Sequence, residues 1–280
     1  MKNLIKAEWY KFSHRKIMLL SFLSVPFLIG LSYIYLNQEN IDLLKSSIGM
    51  KASNFSTNIT FPYLVVQEQL ILIFSILTIF YVATIITEEF KNGAIRITLT
   101  KGYTLTQVIF SKIILITIVI SLLFLGCFIL STIVGNIFMP KANCAYTFFR
   151  KEKMGIVSTI MYGVKFYILS YLITLAMASL MIFIGVISKS RGIMVGIGLV
   201  IIITGMLTMK IIDFLMLNGF ISSKSLIPFF VITELQFRGA AIILEGSTHI
   251  KNILLLVIFL YIIIFTVLSL VYGKIKDYLD

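Results

Sequence analysis

Six stretches of nearly uninterrupted apolar sequence, each about twenty residues or longer, leave this chain few folds to choose from. A helix of about 20 residues at 1.5 Å per residue crosses the ~30 Å hydrocarbon layer of a bilayer. Within that layer every backbone N–H and C=O must find its partner inside the protein, because neither lipid nor water supplies one. The stretches cover residues 17–36, 64–87, 113–139, 166–187, 193–217 and 252–272. The second begins less cleanly, with Gln67, Glu68 and Gln69 at its edge, and the third and fifth are long enough to tilt. None alternates apolar and polar residues as barrel strands do, so helices are predicted. The expected fold is an all-α integral membrane protein, one transmembrane domain over residues 1–280 built as a six-transmembrane-helix bundle.

Composition agrees. Charged residues make up 13% of the chain and apolar residues 59%, whereas a soluble domain carries roughly 25% charged residues to cover its surface. A soluble enzyme, a disordered chain and a DNA-binding domain are excluded on that balance. The net charge of +12 would point to nucleic acid in a polar chain. Here it points to membrane lipid, because Lys and Arg collect at span ends near anionic headgroups. The basic opening segment has no small-residue cleavage site after the first stretch, so that stretch is expected to be retained.

An even number of spans puts both termini on one side. Lys and Arg are densest in residues 2–16, 91–112, 189–191 and 274–276, which favours that side as the cytoplasm, with the basic loop 141–165 pulling the other way. Ahead of the first span, residues 1–16 place Leu4, Ile5, Trp9 and Phe12 on one arc of a helical wheel, with Lys6, Lys11, Asn3 and Ser13 mostly opposite. That pattern suits a short interfacial helix with an aromatic anchor, or a basic flank that merely sets topology.

The connection 88–112 carries the most information. Glu88 and Glu89 close a span end, Gly93 breaks the helix, and a short amphipathic piece follows. Gly102 breaks the chain again, and Thr104 is placed to cap the helix that enters the membrane. The run Glu89-Phe90-Lys91-Asn92-Gly93-Ala94-Ile95-Arg96, then Leu99-Thr100-Lys101-Gly102-Tyr103-Thr104, then Ser111-Lys112, resembles the pattern of type-2 ATP-binding cassette (ABC) exporter permeases. The members it most resembles are the small permeases of bacitracin-resistance and lantibiotic-immunity type. The chain departs from the pattern at Ala94, where Thr is usual, and at Lys101 to Thr104, where a Pro-containing Ser-Arg turn is usual. The resemblance implies a cytoplasmic coupling helix docked on a separate ABC ATPase subunit, with Glu88, Glu89, Phe90, Gly93, Arg96 and Leu99 at or beside the contact. It also implies a second permease subunit, identical or homologous, in a bacterial plasma membrane.

Residues 218–251 form the longest connection. It contains a moderately apolar stretch, 226–244, interrupted by Pro228, Glu234 and Arg238. Glu234 and Arg238 are four apart and face each other on a helix. The resemblance implies short re-entrant helices here on the outer face, while the residues alone suit equally a helix resting on the outer leaflet. Lys210 and Asp213, three apart, are a second candidate pair, read as structural. Gly192 and Gly196 form a Gly-x-x-x-Gly suited to close helix contact.

The chain has no Gly-x-x-x-x-Gly-Lys-Ser/Thr run to hold phosphates, so ATP and Mg²⁺ are expected on the partner subunit and no cofactor on this one. His14 and His249 are its only histidines and fall on opposite sides, so no metal site and no catalytic set is predicted. The expected function is an exporter permease moving an amphipathic cargo: a peptide antibiotic, a drug or a lipid-linked molecule. Ser75, Thr78, Thr117, Ser121, Ser170 and Thr174 supply uncharged polarity within the spans. The alternatives are a non-transporting immunity or sensor component that binds a partner, and a secondary carrier.

Overall fold

The computed structural model describes residues 1–45, 52–148, 153–220 and 227–275. Of the stretches read in the sequence, residues 149–152 of the basic loop 141–165, residues 221–226 of the connection 218–251 and residue 276 of the last basic stretch lie outside that set. In chain order the elements are α1 (Lys2–Ser13), α2 (Lys16–Lys45), α3 (Phe61–Lys91), α4 (Ala94–Thr100) and α5 (Leu105–Phe138). A two-residue hairpin follows, β1 (Cys144–Ala145) paired antiparallel with β2 (Met154–Gly155). Then come α6 (Ile156–Ile187), α7 (Arg191–Leu217), α8 (residues 232–245) and α9 (Thr248–Ile275). Six of these, α2, α3, α5, α6, α7 and α9, are long and apolar enough to cross a membrane, which makes the chain a multi-pass, mostly helical membrane protein.

Each long helix overruns its apolar stretch. The fourth begins at Ile156, ten residues before the hydropathic boundary at 166, and Lys165 lies within it. The signals that end a helix explain this, because they are polar and local. Thr104 Oγ1 accepts from the Gln107 amide at 3.4 Å while Gln107 Oε1 accepts from the Thr104 amide at 3.0 Å, so α5 starts at a capping box eight residues before 113. Ser190 caps α7 through the Ile193 amide. Pro62 sits in the first turn of α3, where its missing N–H costs nothing. Within α3 the turns Leu70–Phe74 and Ala83–Thr87 are π-helical.

Helices α3 and α6 form the middle of the bundle and are the most buried, while the outer faces of α2, α7 and α9 carry exposed Leu, Ile and Phe, as suits a surface solvated by lipid. Tyr167 of α6 ties three segments: its hydroxyl lies 3.0 Å from Ser131 Oγ of α5 and donates to the Pro62 carbonyl of α3 at 3.0 Å. Close helix contacts use other glycines than the sequence pattern indicated. A Cβ on Gly192 or Gly196 would meet nothing within 4 Å, whereas one on Gly198 would sit 2.8 Å from Ile79, and one on Gly205 would collide with Thr233. The Gly-x-x-x-Gly of α7 therefore faces away from the bundle, and a second pair of glycines seven apart carries the contact.

The segment leading to α9 returns into the bundle. The Tyr261 hydroxyl, midway along α9, donates to the Phe230 carbonyl at 2.6 Å, and Gln236 Nε2 donates to Ser75 Oγ, midway along α3, at 2.9 Å. At the other end of α8, Thr147 Oγ1 donates to Glu245 at 2.6 Å in the loop beyond α5. Helix α8 thus runs from mid-bundle out to the end opposite the termini.

Candidate functional site

At the end of the bundle that carries the amino terminus, seven charged side chains from five segments meet. Lys112 of α5 is fully buried, with Nζ 2.5 Å from Glu8 Oε2 of α1 and 2.5 Å from Glu89 Oε2 of α3. Lys11 approaches Glu8 at 2.8 Å and Glu89 at 3.7 Å. Arg15, between α1 and α2, spans both carboxylates at the end of α3, reaching Glu88 at 2.9 Å, Glu89 at 3.2 Å and the Thr84 carbonyl at 2.5 Å. Arg191, at the start of α7, closes on Glu88 at 3.1 Å. Three carboxylates meet four cations, and the most deeply buried cation holds two of the carboxylates, so each buried charge has an opposite one in contact.

Local sequence explains the convergence. In α1, Leu4, Glu8 and Phe12 recur every four residues and are the buried face, so Glu8 is carried inward by its apolar neighbours. Lys112 lies on the buried side of α5 with Val108, Ile109 and Leu115. Burial alone would push the Glu8 carboxyl up, but the Lys112 and Lys11 ammonium groups outweigh it and hold it below the ordinary carboxylate value. Burial would lower Lys11, and the carboxylates of Glu8 and Glu89 outweigh it in the same way, raising it.

The loop leaving this cluster has two glycine hinges. Gly93 (φ 67°) and Gly102 (φ 85°) both adopt the left-handed conformation that other residues enter only with strain. Between them α4 is two-sided. Ile95 is buried and forms a small cluster with Leu4 of α1 and Val108 of α5, against which Phe90, Leu99 and Tyr103 pack. Arg96, Ile97 and Thr100 are exposed on the other side.

The sequence-predicted residues therefore separate. Glu88 and Glu89 belong to the charge cluster, Phe90 and Leu99 to the apolar cluster beneath α4, Gly93 to the hinge and Arg96 to the open face. Glu234 and Arg238 do meet, at 3.6 Å, and Glu234 is 1% exposed. Arg238 also holds Asp213 of α7 at 2.5 Å, so Asp213 is paired across helices, and not with Lys210 as its spacing suggested. Glu8 has no place among the residues singled out in the sequence; Arg15 and Arg191 entered there as topology signals, Lys11 as part of the polar face of the first helix and Lys112 as part of the resembling run. A carboxylate every-fourth-residue in step with Leu4 and Phe12 is the signal that marks Glu8.

Of the span hydroxyls singled out as uncharged polarity, Ser75, Thr78, Thr117, Ser121 and Thr174 donate to carbonyls of their own helix. Among the described residues no group of three or more His, Cys, Asp and Glu side chains is placed to hold a metal ion. A family model described as Protein of unknown function (DUF2705) matches residues 16–279. No curated protein matches the chain.

Proposed function

The chain belongs to the family described as Protein of unknown function (DUF2705), and from the geometry of the loop 88–112 and the resemblance of that loop's sequence we propose that it is the permease subunit of an ATP-driven ABC exporter. The observation that carries this reading is α4: a seven-residue helix between two left-handed glycines, with an apolar side seated on the bundle and an open side bearing Arg96, Ile97 and Thr100. Such a helix suits docking on a separate ATPase, and α4 is the coupling helix in this proposal.

Force applied to α4 has two routes inward. Ile95 bears on Leu4 and Val108, and Phe90 leads directly back to Glu89 and its partners on α1 and α5. A push from ATP-driven closure of the ATPase subunits thereby reaches α1, α3 and α5 together, as a rigid-body device requires. The remainder of the proposal follows from the resemblance described above. ATP and Mg²⁺ bind the partner subunit, a second permease subunit completes the pathway, and the cargo is amphipathic. The termini face the cytoplasm of a bacterium, and α8 is a re-entrant helix on the outer side.

The test is affinity purification of the tagged chain from its native membrane in mild detergent, with mass spectrometry and a vanadate-sensitive ATPase assay on the product. A stoichiometric P-loop ATPase is the expected result. Its absence, under conditions where a control ABC complex survives, would overturn the reading.

A further inference from the structure

A groove of about 430 Å³ runs between α1 and α5 on the outside of the bundle, near the end that carries the charge cluster. Its α1 wall is Lys2, Ile5, Lys6 and Trp9, spaced as one face of a helix adjacent to the buried Leu4, Glu8 and Phe12 face. Its α5 wall is the half-buried Ile118 and Leu122, about 6 Å apart along the helix at 1.5 Å per residue, with the buried Leu115 behind them. The groove thus has a basic rim, an indole beside it and an aliphatic floor.

The two lysines at the rim differ from Lys11 and Arg15 of the same segment. Lys11 and Arg15 are taken up by Glu8, Glu88 and Glu89. Lys2 and Lys6 are exposed and form no ion pair among the described residues. Two unneutralised ammonium groups one helical turn apart fit a phosphate, and an aliphatic stripe running from them along α5 fits the chain attached to it. A soluble anion would leave the stripe bare, and a zwitterionic lipid would bring its own cation to the lysines. Trp9 sits where the two chemistries change, the position indole favours at a bilayer boundary.

We propose that this groove is a binding site for one anionic phospholipid, its phosphate held by Lys2 and Lys6 and an acyl chain lying along Ile118 and Leu122. The site goes beyond the transport reading and does not depend on it. A lipid seated there contacts α1 and α5, the two helices joined by Glu8 and Lys112, and so braces the same junction from outside.

The chain contains one tryptophan, and it lines the groove. The purified full chain is reconstituted in phosphatidylcholine vesicles containing increasing fractions of phosphatidylglycerol, with bromine on the acyl chains of one lipid or the other, and Trp9 fluorescence is read. The expected result is preferential quenching by brominated phosphatidylglycerol, equivalent to roughly tenfold or greater relative affinity from two basic residues. That preference should weaken as salt is raised. Combining Lys2→Gln with Lys6→Gln should bring the ratio to about one while quenching by brominated phosphatidylcholine persists. Lys141→Gln, at the opposite end of the bundle, should leave the ratio as in the native chain. Equal quenching of the native chain by both lipids, or a ratio that survives the double substitution, would overturn the proposal. Shielding of Trp9 from both brominated lipids would overturn it too, by showing that protein covers the groove.

Discussion

Lys112 Nζ lies 2.5 Å from Glu8 Oε2 with both side chains almost wholly out of contact with solvent. The two residues are 104 positions apart, and the bond between them fastens the amino-terminal helix to the start of the third long helix. A cation in such a place is costly alone and tolerable only in company.

Lys112→Met should therefore cost about 3 kcal/mol, towards the lower end for breaking a buried pair because Lys11 and Arg15 still face Glu8 and Glu89. Adding Glu8→Gln and Glu89→Gln to Lys112→Met should recover much of the loss, since no uncompensated carboxylate remains. Thermal unfolding in detergent of the native chain, Lys112→Met, Glu8→Gln with Glu89→Gln, and the triple variant measures both effects. Additive losses would mean that the three groups do not act as a unit.

Acid should act through the same carboxylate. Glu8 is held below its ordinary value of 4.5, so the unfolded chain takes up that proton first as pH falls. The stabilisation it contributes is complete above about pH 4.5 and is lost as pH drops below it towards the depressed native value. Melting temperature should be level near neutrality and decline below that point. Glu8→Gln should flatten part of the decline.

Gly198 and Gly196 lie two apart on α7, and only the first should be sensitive to a larger side chain. Gly198→Leu would drive its side chain into Ile79 of α3, an overpacking worth about 1–3 kcal/mol, while Gly196→Leu points into open space. Parallel melting curves in detergent distinguish them. An equal loss in both would return the packing role to the Gly-x-x-x-Gly pattern.

The loop offers a comparison of two kinds of damage. Gly93→Pro cannot keep a φ of 67°, because the proline ring fixes φ near −65°. It should detach the proposed ATPase while leaving membrane insertion intact. Arg96→Asp reverses a charge on the exposed face of α4, so it should weaken the association more than it lowers the melting temperature. Leu99→Asp places a charge in the cluster beneath α4 and should lower both. Co-purification and unfolding measured on the same samples separate the three. An undiminished complex in Arg96→Asp would place the docking contact elsewhere.

The number of long helices was legible in the sequence because bilayer thickness and helical rise together demand a minimum apolar length. The hinges at Gly93 and Gly102 and the cap at Thr104 were legible for a similar reason: each is a local rule expressed within a few residues. The start of α6 was not, since an apolar window averages away the polar turns through which that helix extends back to Ile156. Ion pairs across the fold were the hardest to see. Spacing offered Lys210 to Asp213, but Arg238, 25 positions on, takes it. Glu8 and Lys112 find each other only once α1 has folded back against α5. Sequence proximity ranks partners by distance along the chain, and in a bundle that ranking fails wherever a helix has a closer neighbour through space.

The place of Lys112 in the chain also bears on how the protein is made. Both of its counter-charges, Glu8 and Glu89, belong to segments synthesised earlier, and so do Lys11 and Arg15. When α5 leaves the ribosome the two carboxylates are already present to receive its lysine, and the third helix need never enter the bilayer with that charge unattended. A circular permutation that moved residues 1–16 behind α9 would leave Glu89 ahead of Lys112 but deliver Glu8 last, so α5 would enter the bilayer with one of its two counter-charges missing. Yield of inserted protein, more than stability of what is inserted, is where the difference would be felt.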